Sequence, residues 1–229
     1  MVKRRCQCDP QCKKLPIDGE PFCKEHSQKC NRISPLSGSE LDFHPDFYNK
    51  NKKLLNYVNC YGYAVGHTNP DKKLTQQPGY AAGYSRFGEV KQASSEHTCA
   101  DITARMFGDM PSIVGPVAFT DKCPLKTSKI ALVVDPSADY HYYRQDSNGW
   151  WSHKPGSTAV TNLDAAGSKI WDPLLASRFY PDNNQPLNYS SSCGYMCVQR
   201  DHPPRISGGK KKTLRKKQRK TRRLRHTKR

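Results

Sequence analysis

Two histidines flank an Asn-Gly pair in the aromatic stretch DYHYYRQDSNGWWSHKPG, residues 139–156. A β-hairpin turning at Asn-Gly places His141 on one strand and His153 on the next. Far upstream, Cys60 follows Asn59, which is a good N-cap for a helix. A cysteine at a helix N-terminus beside an imidazole is the arrangement that activates a sulfur nucleophile. The pattern predicts a cysteine hydrolase in which Cys60 attacks, His141 is the base and His153 orients the imidazole.

The register of this hairpin decides which group orients the base. If Asn-Gly is a two-residue turn, Arg144 lies opposite the second histidine, and the two histidines point to opposite faces. The orienting role would then pass to Gln145 or Ser152. If residues 147–149 form a three-residue loop, Tyr143 lies opposite the second histidine, and both histidines share one face. The sequence permits either register.

The N-terminal 33 residues hold five of the ten cysteines, a density typical of a metal-binding module. Cys23 and His26 form a Cys-x2-His pair, which supplies two zinc ligands from one turn. Ten residues separate Cys12 from Cys23, a spacing typical of the two ligand pairs of a zinc site. The predicted zinc ligands are Cys8, Cys12, Cys23 and His26, with Cys6 or Cys30 as alternatives for one of them. Because four protein ligands leave no position open for a substrate, the expected zinc site is structural.

The segments that must position these residues are predicted to form helices in the first part of the domain and strands in the second. A short helix is expected from Cys60, and a second over residues 94–109 with Ser94 or Ser95 as its N-cap. The run KIALVVDP, residues 129–136, has the β-branched composition of a buried strand, and the hairpin follows it. This order predicts an α+β domain.

Composition divides the chain into four parts. We expect a Cys/His module over residues 1–33, a linker over 34–40, an α+β domain over 41–203 and a disordered tail over 204–229. The formal charge of +18 is concentrated in the tail, whose last 20 residues carry 13 Lys or Arg and no acid. Such a tail is expected to bind nucleic acid or an acidic protein surface, without sequence specificity and with strong salt dependence.

The cysteines and the N-terminus favour an intracellular protein. The start MVKRRCQC lacks the apolar stretch of a secretory signal, and no apolar run approaches the roughly 20 residues that span a bilayer. We therefore expect no membrane partner. Cysteines in a reducing compartment serve as metal ligands or thiols more than as disulfides. On this basis the cysteines of the main domain, at positions 99, 123, 193 and 197, are expected to be buried thiols.

The segment NCYGYAVG resembles the nucleophile segment of papain-like cysteine hydrolases of the NlpC kind. These are small α+β domains that cleave amide bonds, and in many of them the third catalytic residue is a histidine. The resemblance implies catalytic roles for Cys60, His141 and His153 and a peptide or amide substrate. Asn59 departs from it, because many of these peptidases have an acidic residue before the cysteine. The wider pattern over about residues 34–200 is similar to uncharacterised proteins of giant viruses and some bacteria.

These resemblances imply a viral thiol hydrolase that works through an acyl-enzyme on Cys60. It would reside in the host cytoplasm or nucleus and in the virion, together with capsid or other virion proteins. The alternative is a non-catalytic virion structural or packaging protein. That protein would use the fold as a scaffold and the basic tail to bind nucleic acid or acidic partners.

Overall fold

An antiparallel sheet of five strands is the centre of the fold in the computed structural model, which describes residues 4–30, 32–70, 76–83, 97–181 and 186–200. The strand order is β1-β7-β2-β3-β4, and a separate two-stranded sheet pairs β5 with β6. The strands are β1 (Val114–Val117), β2 (Thr127–Asp135), β3 (Asp139–Gln145), β4 (Trp151–Ser152), β5 (Phe179–Tyr180), β6 (Leu187–Asn188) and β7 (Ser191–Gln199). With the helices, this is the mixed α+β architecture expected from the sequence.

Four helices are present in the described residues: α1 (Pro45–Asn49), α2 (Lys52–Tyr57), α3 (Cys60–Ala64) and α4 (Cys99–Asp109). The predicted cap of α3 is present, because the side chain of Asn59 accepts a hydrogen bond from the Gly62 N–H at 2.9 Å. Helix α4 is capped by Thr98, which accepts from the Asp101 N–H at 3.1 Å. The caps expected for this helix, Ser94 and Ser95, lie outside the described residues.

Every residue of β2 is buried, as expected for the apolar run within it. Because side chains alternate along a strand, β2 contributes to a core on each face of the sheet. One core contains Ile130 and Leu132 and is covered by α3 and α4. The other contains Ala131 and Val133 and is covered by the segments that follow β4 and precede β7. The sheet thus separates two layers of packed side chains.

The hairpin between β3 and β4 has the three-residue loop. The Asp146 N–H donates to the Trp150 carbonyl at 2.8 Å, and Arg144 pairs with Ser152. Gly149 has φ 85°, in the left-handed region that such a loop requires. His141 and His153 therefore share one face.

Three disulfides link distant parts of the chain: Cys8–Cys30, Cys99–Cys193 and Cys123–Cys197. The expectation of buried thiols at positions 99, 123, 193 and 197 is therefore wrong. Two bonds join β7 to α4 and to the loop before β2, across 94 and 74 positions of sequence. Pairings at such separations depend on the tertiary fold and not on local spacing. None of the helices in the described residues is long and apolar enough to span a membrane.

Candidate metal centre

Turns in the N-terminal module gather its thiols. After Cys23 the chain turns tightly, because the N–H groups of His26 and Ser27 both donate to the Cys23 carbonyl, at 3.0 and 2.9 Å. A second turn is closed by the Cys12 N–H, which donates to the Asp9 carbonyl at 3.0 Å. With few apolar residues to bury, the module is organised around sulfur atoms.

Four side chains converge in this module: Cys6, Cys12, Cys23 and His26. Their ligand atoms all lie within 4.8 Å of one another. His26 Nδ1 is 3.3 Å from Cys6 Sγ and 3.4 Å from Cys23 Sγ, and the sulfurs of Cys12 and Cys23 are 3.8 Å apart. A tetrahedral zinc ion with typical bond lengths would separate such atoms by roughly 3.5 to 3.8 Å. The observed spacing therefore fits a tetrahedral ion bound by three thiolates and one imidazole.

The converging cluster contains three of the four predicted ligands, Cys12, Cys23 and His26, but not the fourth, Cys8. Cys8 is bonded to Cys30, so Cys6 takes the fourth position. Because Cys6 and Cys8 lie two residues apart, their spacings to Cys12 and Cys23 satisfy the same motif. The spacing therefore leaves both cysteines as candidates.

Local hydrogen bonds favour the thiolate form at one of these sulfurs, that of Cys23. Burial alone would raise the pKa of Cys23, but the His26 N–H and the thiols of Cys12 and Cys6 donate to its sulfur and hold the pKa below its usual value. The Cys23 N–H in turn donates to the Cys6 sulfur at 3.5 Å. A thiolate is the form that binds thiophilic metals, and Cys23 is the sulfur that favours it, whereas burial raises the pKa of Cys12.

The predicted catalytic cysteine does not meet its predicted base. Cys60 packs on the helix-covered face of the sheet, where its thiol contacts the Tyr140 carbonyl at 3.9 Å. His141 is the next residue on the strand, so its imidazole points to the other face. Burial and the nearby charge of Asp139 raise the pKa of Cys60 to about 12. The thiol is therefore neutral near pH 7 and is separated from His141 by the sheet.

The two histidines do contact each other. His141 Nε2 and His153 Nδ1 are 2.7 Å apart, and His153 Nε2 is 2.9 Å from the Leu163 carbonyl. The carbonyl can only accept, so His153 carries its proton on Nε2 and accepts from His141. Burial holds the pKa of His141 well below its ordinary value and lowers that of His153 to about 4. The result is a neutral, hydrogen-bonded pair inside the core.

Comparison with known proteins gives one line of evidence on function. No known family model matches the sequence, and no solved structure matches it. Over 120 residues the chain is 38% identical to insoluble matrix shell protein 1 of Ruditapes philippinarum, covering 52% of this chain and 70% of that protein. The named relative is a shell matrix protein. The predicted cysteine hydrolase, and with it the thiol protease and viral descriptions, is therefore wrong.

Proposed function

The chain belongs to the family of insoluble matrix shell protein 1, and on this premise we propose that it is a non-catalytic structural protein of an insoluble matrix. The relationship to the shell protein is the observation that carries the proposal. The contacts of the expected catalytic residues agree with it, because Cys60 and His141 serve as core residues of separate layers. The structural alternative drawn from the sequence is retained without its viral setting.

The disulfides support an extracellular location. Disulfides persist in oxidising compartments and are rare where cellular reductants act. Two of the three in the described residues attach β7 to other parts of the sheet domain. We therefore place the protein outside the cell, in contrast to the intracellular location expected from the sequence.

The role we assign to the metal centre is structural, and the ion is zinc. The donor set of three thiols and one imidazole is typical of structural zinc sites. Four protein ligands complete a tetrahedron, so the ion would carry no exchangeable water for catalysis. The ion would instead crosslink a module that lacks an apolar core of ordinary size.

As part of this proposal, the sheet domain has the element order of a papain-like fold and serves as a scaffold. Helix α3, which begins at Cys60, packs against β3, which carries His141. That order of elements is the basis of the resemblance. In this scaffold the nucleophile position is a core position.

The basic tail supplies the contact with the rest of the matrix. The tail lies outside the described residues, and its sequence indicates the partner. Thirteen cationic side chains without a neighbouring acid attract polyanions. For an extracellular protein the partner we assign is an acidic protein surface and not nucleic acid.

The matrix role is tested by fractionating the tissue that secretes the protein. An antibody against the full chain should detect it in the insoluble extracellular fraction and not in the cytosol. Detection in soluble cytosolic protein alone would contradict the proposal. Stoichiometric labelling of Cys60 by an acylating substrate analogue would contradict the non-catalytic part.

The partner of the tail is tested with the full chain on immobilised polyaspartate. Binding should weaken steeply with added salt, because it depends on released counterions. A chain ending at residue 209 is the control and should not be retained. Stronger retention on DNA than on polyaspartate at equal salt would overturn the choice of partner.

A further inference from the structure

Gln7 connects the metal-binding module to the domain that contains the five-stranded sheet (the sheet domain), through hydrogen bonds of its side chain. Its side chain is wholly buried, and its amide makes three hydrogen bonds to one backbone segment. Nε2 donates to the Lys169 carbonyl at 3.0 Å, and Oε1 accepts from the N–H groups of Trp171 and Asp172 at 2.6 and 2.9 Å. Both donors and acceptors of the segment are thus satisfied by one side chain from the module.

The backbone of Gln7 is fixed by the residues on either side of it. Cys6 is one of the four converging ligands, and Cys8 is bonded to Cys30. The Gln7 N–H also donates to the Pro21 carbonyl at 2.8 Å. The disulfide restrains the position after Gln7, whereas the position before it is restrained through the sulfur of Cys6.

The segment that Gln7 grips forms part of a cavity wall. The ring of Trp171 packs edge-on against Phe22 of the module, with ring centroids 5.4 Å apart. It also packs edge-on against the ring of Trp150, with ring centroids 5.0 Å apart. Trp171 also lines a largely apolar cavity of about 370 Å³, together with Ile33 and Phe119.

We propose that Gln7 is a positioning residue that couples metal binding in the module to the Trp171 segment. With the ion bound, Cys6 holds Gln7 in place, and Gln7 fixes the backbone of residues 169–172 and the adjoining cavity wall. Without the ion, the Cys6 sulfur keeps only its hydrogen bonds with Cys23 and His26, so the Cys6 side of Gln7 loosens and its hydrogen bonds to Trp171 and Asp172 open. This inference rests on the proposed zinc site and adds to it a consequence for the sheet domain.

The test is amide hydrogen exchange of Trp171 and Asp172 in the full chain, measured by NMR with zinc bound and after chelation. Both amides should exchange about tenfold faster or more after chelation, because each loses its acceptor. Amides of β2 should stay protected in both states, which shows that the sheet domain remains folded. Zinc content is measured on the same samples.

Three variants distinguish loss of the Gln7 hydrogen bonds to residues 169–172 from loss of the metal site. Gln7→Ala should bind zinc at one ion per chain, yet its Trp171 and Asp172 amides should exchange fast in both states. Gln7→Glu keeps an acceptor oxygen and should restore part of the protection. Gln11→Ala, in an exposed part of the same module, should behave as the parent.

The outcomes distinguish the two proposals. A parent chain that binds zinc but shows the same exchange at Trp171 and Asp172 after chelation overturns the coupling and leaves the zinc site intact. A chain that never retains zinc overturns both. Fast exchange in Gln7→Ala with normal zinc content supports the coupling.

Discussion

His141 donates a hydrogen bond to His153 across 2.7 Å, inside an aromatic layer that the sheet separates from Cys60. The rings of Tyr143 and Tyr189 enclose the pair, with centroids 5.0 and 5.3 Å from that of His141. The pair is therefore built to stay uncharged. The pair therefore makes the stability of the fold depend on pH, and it has no part in catalysis.

Acid should destabilise the fold through this pair. The folded pKa of His153, about 4, is below the unfolded value near 6.5. Well above pH 6.5 both states are neutral, so the full stability is present. As the pH falls, the unfolded chain binds protons first, and stability is lost down to the folded pKa. At pH 5 the loss is about 2 kcal/mol from His153 alone. Urea unfolding between pH 7.5 and 4.5 measures it.

The control variants isolate this pH effect from simple destabilisation. His153→Gln should be less stable at pH 7.5, but its stability should fall less between pH 7 and 5. His44→Gln, at an exposed position, should keep the parent slope. If His153→Gln and the parent show equal slopes, the buried pair does not cause the acid sensitivity.

Removing a metal ligand should abolish zinc binding. Cys23→Ser deletes the sulfur that lies 3.8 Å from the Cys12 sulfur and 3.4 Å from His26 Nδ1, so the zinc content should fall from one ion per chain to near zero. Substitution with Co²⁺ should give the visible spectrum of a tetrahedral thiolate site in the parent only. Cys60→Ala is the matched control, because it removes a free thiol from the other part of the molecule. Cys8→Ser also tests the revised ligand set.

Cys8→Ser tests whether Cys8 serves the disulfide with Cys30 or the metal site. Cys8→Ser should retain zinc, because the four ligands do not include it. If Cys8→Ser lost zinc and Cys6→Ser kept it, the ligand set drawn from the sequence would be restored. Inductively coupled plasma analysis of the dialysed proteins gives both answers.

Cys60 should resist alkylation in the folded protein. Its thiol is buried and its pKa is raised to about 12, so the reactive thiolate is scarce at neutral pH. Iodoacetamide at pH 7.5 should modify it only in denaturant. After chelation the sulfurs of Cys12 and Cys23 should react first. Rapid labelling of Cys60 in the native chain would show that the sulfur is accessible.

The link from α4 to β7 should be a large contributor to stability. Cys99 and Cys193 close a loop over 94 positions of sequence, and loss of such a bond typically costs about 2 to 5 kcal/mol. Cys99→Ser should lower the urea midpoint by a corresponding amount. Under reducing conditions the parent should approach the variant. Equal midpoints for the parent with and without reductant would show that this bond does not stabilise the fold.

Local features of the fold follow from the sequence, and long-range ones do not. The apolar run from Lys129 predicts β2, and Asn59 predicts the start of α3, because both depend on near neighbours. The hairpin and its two histidines are also local. The alternation of β3 fixes that Tyr140 and His141 face opposite ways, but only the packing of α3 shows that Cys60 lies on the Tyr140 side.

The metal centre shows the same division. Cys23 and His26 are set by one turn, so their spacing identifies them. The choice between Cys6 and Cys8 depends on which sulfur reaches Cys30, and no local pattern contains that information. Gln7 gives no sequence signal at all, since its role arises from a segment more than 160 positions away.

A buried ion pair beneath the hairpin should be costly to break. Arg144 Nε donates to Asp146 at 2.9 Å, and a second guanidinium nitrogen donates to the Asp42 carbonyl at 2.8 Å. The guanidinium also lies 4.0 Å from the ring centroid of Tyr63. Both charged side chains are almost fully buried. Asp146→Asn leaves the cation without its counter-charge and should cost about 3 to 5 kcal/mol.

Urea unfolding of a double-mutant cycle measures this coupling. Arg144→Met with Asp146→Asn should be more stable than Asp146→Asn alone, because the uncompensated charge is gone. The exposed pair of Lys50 and Asp46 is the matched control, and its removal should change stability little. Additive effects of the two buried substitutions would mean that solvent or another group compensates Arg144. The two side chains would then not depend on each other for stability.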